Sequence, residues 1–290
     1  MAAVNRVDHR QPVTADLRRW IVEQAELGCR PEDILAAMRA SGWEEAVAVD
    51  ALEATLRERL DEVVAAAPAT ALPVAPGPAI GDAPNVLLAD GHPVQVVFAL
   101  RQPRVIHFGG LLTEDECDAL VDLARPRLSR SETVDTATGG SEVNAARTSD
   151  GMFFVRGETP LIQRIERRIA ALLAWPVERG EGLQILHYRP GAEYRPHYDY
   201  FDPSQPGTTA VLARGGQRVG TLVMYLNDPL AGGATTFPDI GLEVAPVKGH
   251  GVFFAYDRPH PSTQTLHGGA PVRAGEKWVA TKWLREGPFS

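Results

Sequence analysis

The stretch EYRPHYDYF, residues 193–201, sets His197 and Asp199 one residue apart in an aromatic run that otherwise has the character of a buried strand. On a strand, side chains at i and i+2 leave the same face, so the imidazole and the carboxylate point together, with Cβ atoms about 7 Å apart. That relation suits a metal. Two histidines and one carboxylate form a facial set that leaves three positions open on iron(II), the arrangement of non-heme oxygenases. The same set can hold Zn²⁺ in a hydrolase. A second histidine is needed, and the downstream candidates are His250 in KGHG, His260 between prolines in RPHPS, and His267, which ends the run STQTLHG. At a strand end His267 could point into a barrel mouth. Taken singly, each of the three also reads as an ordinary surface or core histidine, and an isolated His-x-Asp arises on many strands by chance.

The cations hold a second signal. Only Lys248, Lys277 and Lys282 are lysines among 29 basic residues. Lys277 lies inside EKWVATKW, where an ammonium facing a barrel interior is costly unless an anion pairs with it. Lys282, five residues on, faces the opposite way on a continuous strand and is expected to snorkel to solvent.

These residues need a scaffold, and the chain beyond residue 182 supplies strand signals: LQILHY, RPHYDYF, RVGTLVMYL, GATTFP, GHGVFFAY, TQTLHG and KWVATKWL, with turns between them. Short strands in such a series read as a double-sheet barrel or jelly roll. Upstream, NVLLADGHPVQVVFAL is a hairpin around Asp90-Gly91. Helices are expected after the capping box Thr113–Glu116 and after Thr159-Pro160. VDTATGGSEVNAARTS, residues 134–149, is too polar and Gly-rich to pack and reads as a mobile loop that closes over substrate. Residues 14–66 read as a three-helix bundle, and the Ala/Pro-rich residues 67–84 as a linker to a domain spanning 85–290.

HYRPGAEYRPHYDYF, GGATTFP and LHGGAPVRAGEKWVATKWL, in this order and spacing, resemble the catalytic domain of the prolyl 4-hydroxylase branch of the iron(II)/2-oxoglutarate dioxygenases. The likeness runs from about Arg104 to Leu284. It implies an α+β chain: a double-stranded β-helix (jelly-roll) catalytic domain with supporting helices, preceded by the small all-α bundle. Carried over residue by residue, it implies iron ligands His197, Asp199 and His267, with Lys277 holding the distal carboxylate of 2-oxoglutarate. Tyr188 and Thr235 match positions whose hydroxyls bond the cosubstrate, while Tyr194, Arg218 and Trp283 match the substrate groove. The chain departs from the family at Arg285, where relatives often carry histidine.

The implied activity uses Fe(II), 2-oxoglutarate and O₂, with ascorbate as reductant, and hydroxylates prolyl residues of a peptide or protein with release of succinate and CO₂. A related oxygenase of a free amino acid or small metabolite is the enzymatic alternative. A peptide-binding module with a vestigial site is the non-catalytic one. Lys277 has no role in a zinc hydrolase, and paired acids such as Glu44-Glu45 and Asp115-Glu116 read as solvated helix faces.

A formal charge of −8 argues against a coat for phosphate backbones, so no nucleic-acid partner is expected. No apolar run reaches the roughly 18 residues of a membrane span, and MAAVNRVDHRQPV lacks a secretory layout. Cys29 and Cys117 fall in separate expected helices and fit buried thiols in a reducing, cytoplasmic compartment. The bundle offers neither a metal site nor a basic surface, and its partner, if it has one, is a protein.

Overall fold

The computed structural model describes residues 12–26, 29–66, 75–78, 80, 85–131, 133–134, 138, 140–142 and 146–290. The chain divides into two compact units, 1–72 and 73–290.

In the first unit, α1 (Ala15–Glu26), α2 (Pro31–Ala40) and α3 (Glu45–Ala66) follow one another. Pro31 at the first turn of α2, with Glu32 and Asp33 beside it, satisfies the helix start by fixing φ and placing acid at the positive end of the dipole. Ile34 and Met38, four apart on one face, join Ile21, Ala48 and Leu52 in a shared apolar cluster. Cys29 departs from expectation: it is exposed in the segment between α1 and α2, and only Cys117 is buried.

The second unit is built on two antiparallel sheets. The larger runs in the order Val86–Ala89, His92–Leu100, Arg104–Gly109, Gly251–Ala255, Arg218–Tyr225, Lys277–Arg285, Leu183–Tyr188, Asp150–Phe154 and Ser129–Arg130. The smaller orders Leu242–Val244, Thr235–Phe237, His267–Gly269 and Tyr194–His197. The first hairpin turns at Asp90 and Gly91, both at positive φ (52° and 78°), the pairing a tight two-residue turn demands.

Residue parity on the Lys277 strand organises the interior. Every residue from Lys277 to Arg285 is buried, so the strand is covered on both faces. Its even residues Trp278, Ala280 and Leu284, with Leu222 and Met224 of the neighbouring strand, pack against Leu120 of α4 (Glu114–Ala124) and Ile165 and Ile169 of α5 (Pro160–Leu173). Val279 on the odd face instead meets Tyr225, Phe254, Phe237 and Val244 between the sheets. Phe237 and Phe254 stand edge to face across that space at 5.2 Å. Both helices start where expected: Thr113 and Glu116 form the reciprocal capping box of α4, and Thr159 caps α5 ahead of Pro160. The result is an α+β fold whose two facing antiparallel sheets form a jelly roll.

Besides Cys29, and Glu116, which is buried against Arg168 rather than solvated, four expectations change. The strand expected through RPHYDYF ends at His197, so Asp199 lies in the bend after it rather than two residues along one strand. His267 opens its strand instead of ending one. Lys282 faces away from Lys277 but does not reach solvent: it is 2% exposed and its Nζ is 2.6 Å from Glu166 Oε1 of α5. Helices cover that face of the sheet, so the ammonium has no route outward and takes a buried carboxylate.

The fourth concerns the segments read as linker and loop. Pro76 and Pro78 are buried, Gly77 N donates to Leu173 O (2.7 Å), and Arg104 Nη2 donates to Pro78 O (2.7 Å), so residues 75–78 are docked rather than free. The remainder of 67–84, apart from residue 80, lies outside the described residues. Within 134–149, Thr133–Val134 pairs with Ser141–Glu142, and Arg147 and Ser149 are buried, so its C-terminal end packs after all. Residues 135–137, 139 and 143–145 lie outside the described residues.

Candidate metal centre and active site

His197 and His267 are direct partners in the ladder of the smaller sheet, which brings their rings to 4.3 Å between centroids. Asp199 reaches them because the chain leaves the ladder after His197 and folds its carboxylate back. Asp199 Oδ1 lies 3.5 Å from His197 Nε2, and Oδ2 lies 3.4 Å from His267 Nε2. Potential ligand atoms of the three residues all fall within 4.8 Å of one another, the one such cluster among the described residues.

Backbone contacts orient the donors. His197 Nδ1 is 2.9 Å from Arg195 O and His267 Nδ1 is 2.9 Å from Thr265 O. A carbonyl only accepts, so each proton sits on Nδ1 and each Nε2 turns a lone pair toward the centre. Burial, reinforced by His267, lowers the pKa of His197 and favours its neutral form. Burial alone would raise the Asp199 carboxyl, but in the metal-free protein the charge and hydrogen bonds of the two histidines, when protonated on Nε2, outweigh it and hold the group well below the usual carboxylate range; the lone pairs face the centre once those protons are displaced. Two neutral nitrogen donors and an ionised oxygen donor are what iron(II) requires of this set, so the residues fit the ion.

His250 and His260 do not belong to it. His250 Nδ1 lies 3.3 Å from His107 Nε2, and His260 caps a short turn through Ser262.

Lys277, Val279, Thr281 and Trp283, the odd residues of one strand, line the pocket beside the three ligands, together with Tyr188, Thr235 and Thr221. Lys277 is 4% exposed and has no carboxylate or hydrogen-bond partner among the described residues; burial pushes its pKa down to about 8. Its Nζ sits 5.6 Å from the centre of the Tyr188 ring and 5.8 Å from that of Tyr225. Thr235 Oγ1 accepts from Tyr225 OH at 2.8 Å, leaving its own proton available to a ligand. The structure therefore brings Tyr188, Thr235 and Lys277 together around one volume, with a cation lacking an anion at its wall.

The residues matched to a substrate groove separate into two roles. Tyr194 stacks on His197 at 3.7 Å, and Trp283 flanks the pocket with its indole packed near Phe153. Arg218 is committed elsewhere: its guanidinium binds Glu181 through two contacts (2.7 and 3.0 Å) and lies 4.1 Å over Trp283. Arg285 Nε also reaches Glu181, at 2.8 Å, so this arginine is a partner in the support beneath Trp283.

Several site residues escaped the sequence. Thr221 Oγ1 donates to Asp199 Oδ2 at 2.7 Å and lies 3.0 Å from Tyr256 OH, which fixes the orientation of the carboxylate. Arg147 packs over Tyr194 at 5.3 Å. Parity along RVGTLVMYL could have found Thr221, because it shares a face with Val223 and Tyr225. Nothing local marks Arg147, whose place depends on a bridge to Tyr194.

Comparison with known proteins follows the same residues. The 2OG-Fe(II) oxygenase superfamily matches residues 183–285. Prolyl 4-hydroxylase 5 of Arabidopsis thaliana is 40% identical over 209 residues, 65% of this chain and 70% of that protein. Prolyl 4-hydroxylase 1 of the same plant is 42% identical over 202 residues, 63% and 69% of the two chains. Among solved structures, the 2-oxoglutarate complex of the viral collagen prolyl hydroxylase of Paramecium bursaria Chlorella virus 1 aligns with a TM-score of 0.48 and 29% identity, over 62% of this chain and 94% of the other.

Proposed function

The chain belongs to the prolyl 4-hydroxylase family of 2OG-Fe(II) oxygenases, and from that premise we propose that it hydroxylates prolyl residues in an extended peptide or protein segment. It is a 2-oxoglutarate-dependent dioxygenase. When bound, iron(II), 2-oxoglutarate and O₂ supply the oxidation of an unactivated C–H bond, with succinate and CO₂ as co-products.

The chain contributes binding, orientation and a dry pocket. His197, Asp199 and His267 hold the metal, with Thr221 fixing the carboxylate. Lys277 neutralises the distal carboxylate of 2-oxoglutarate, and Thr235 and Tyr188 offer hydroxyls to it. Tyr194 and Trp283 give flat faces suited to a proline ring. Arg218 acts on substrate through Trp283, which it holds from behind. The single observation that carries this reading is the buried Lys277 ammonium, without an anion among the described residues, in the same pocket that the three ligands line.

Three further readings complete the proposal. Ascorbate serves as reductant, the protein works in the cytoplasm, and the helices of residues 14–66 form a separate module, joined by residues 67–84 to the oxygenase domain 85–290, that recruits a partner protein. Among the described residues no helix is long and apolar enough to cross a membrane.

The test is incubation of the full chain with Fe(II), 2-oxoglutarate, ascorbate and a proline-rich peptide library, reading succinate and peptide mass together. Gain of about 16 Da on proline, matched to succinate, is expected from insertion of one oxygen. Succinate coupled only to oxidation of free amino acids would replace the peptide reading.

A further inference from the structure

Outside the pocket a long groove continues past Trp283, and its charge runs against that of the chain. The protein carries 37 acidic against 29 basic residues. Among the described residues, seven arginines but only three acids, Glu181, Asp199 and Asp202, line the groove. Of those acids, Glu181 is bound by Arg218 and Arg285, and Asp199 belongs to the metal set.

Two of the arginines form no ion pair with a carboxylate among the described residues. Arg130 donates from Nη1 and Nη2 to the carbonyls of Ser149 and Arg147 (3.3 and 3.0 Å). Arg156 donates from Nη1 to the carbonyls of Glu178 and Gly180 (2.8 and 3.1 Å). Backbone oxygens anchor each guanidinium without cancelling its charge. Asp150, which stands opposite Arg130 in the ladder, pairs instead with Arg189.

The two cations bracket the strand Asp150–Phe154. Arg130 lies level with its first residue and Arg156 two residues past its last, roughly 20 Å of extended chain apart. Between them stand Phe153 on the strand and Val155 just past its end, exposed by 48% and 70%. An apolar strip with a fixed cation at each end matches an extended peptide whose centre is apolar and whose flanks are acidic.

We infer that the groove selects an anionic substrate, a proline-containing segment with aspartate or glutamate on both sides of the proline. This rests on the peptide reading of the active site and names the class of peptide. Both cations stand at the groove's edge, so their effect falls on encounter and binding, and added salt weakens it.

The experiment uses the full chain and three labelled peptides of equal length, each with one proline flanked at three residues on either side by glutamate, glutamine or lysine. Affinity is read by fluorescence anisotropy at low and high salt, and hydroxylation by mass spectrometry. The glutamate peptide is expected to bind at least tenfold more tightly than the lysine peptide, with glutamine between, and the gap should narrow several-fold at high salt. Arg130→Gln with Arg156→Gln should shrink the gap, and Arg130→Glu with Arg156→Glu should reverse it, in protein whose thermal melt matches the parent. Equal affinities, no binding of any peptide, or an order unmoved by these variants would overturn the inference. Correct binding order without hydroxylation of any peptide would leave the anionic groove standing and remove the prolyl-hydroxylation reading instead.

Discussion

Lys277 is the residue whose environment says most about the chemistry. An enclosed ammonium with no charged partner among the described residues disfavours its own proton, and its pKa falls from 10.5 to about 8. In the ligand-free protein the folded state therefore gives up this proton before the unfolded chain does. Between about pH 8 and 10.5 the unfolded chain binds more protons, so stability rises with pH across that window, by up to about 3 kcal/mol. On the proposed role of Lys277, binding of 2-oxoglutarate has the opposite dependence, because the carboxylate is paired with the ammonium. Its affinity should decline as pH passes through about 8, and calorimetric titration from pH 7 to 9.5 checks this. Lys277→Ala should raise the KM for 2-oxoglutarate by tenfold or more, since a charge-assisted bond to a desolvated carboxylate contributes about 1.5–3 kcal/mol, while the KM for peptide moves little. An equal rise in both constants would detach Lys277 from the cosubstrate. His267→Ala should abolish iron retention as well as turnover, because it removes one of two nitrogen donors; metal content by mass spectrometry decides it, and near-normal iron would refute the ligand set.

At the scale of the element, the strand Lys277–Arg285 divides two tasks by parity. Its odd residues build the site and its even residues seat the sheet on α5. Lys282 belongs to the second set, where its ion pair with Glu166 leaves each side chain 2% exposed. Removing one partner strands a charge in the core and should cost about 3–5 kcal/mol, whereas replacing both with apolar residues of similar volume restores most of it. Lys282→Met is thus expected to lower the urea midpoint sharply, and Lys282→Met with Glu166→Leu to recover it. Neither variant should change the KM for 2-oxoglutarate, which separates this lysine from its neighbour. A single variant as stable as the parent would mean that the pair contributes nothing.

At the scale of the molecule, the boundary between the units sets which pieces can stand alone. Residues 75–78 are part of the second unit, through Gly77 to Leu173 and Arg104 to Pro78, and Pro76 lies against Gly220, where an added Cβ would meet it at 3.1 Å. A chain starting at residue 73 should therefore fold, bind iron and 2-oxoglutarate, and hydroxylate short peptides at close to the full-length rate. A chain starting at residue 84 loses the docked prolines and two hydrogen bonds to residues of the sheet and α5, and should melt several degrees lower, as expected for a loss of about 1–3 kcal/mol. Equal melting temperatures of the two chains would show that residues 75–78 add no stability. Loss of cosubstrate binding in the longer one would mean that the first 72 residues complete the oxygenase fold.

The sequence by itself put His197 and Asp199 together and singled out Lys277, but it left His250, His260 and His267 open as the second histidine and reached His267 only through the family resemblance. It also determined both helix starts, where capping is a local interaction among residues three apart, and the Asp90-Gly91 turn. The rest waited for tertiary structure. Period-two reasoning put Lys282 on the correct face but could not reveal that α5 covers that face, so exposure and burial were exchanged. Composition marked residues 75–78 as linker, although their burial depends on Leu173 and Arg104, 96 and 27 residues beyond Gly77. Arg218 matches a family position in the sequence and Arg285 departs from one, yet only their convergence on Glu181 makes them the support of Trp283. In each case the deciding partner is distant along the chain, and contacts of that kind are fixed by how the sheets and helices close on one another.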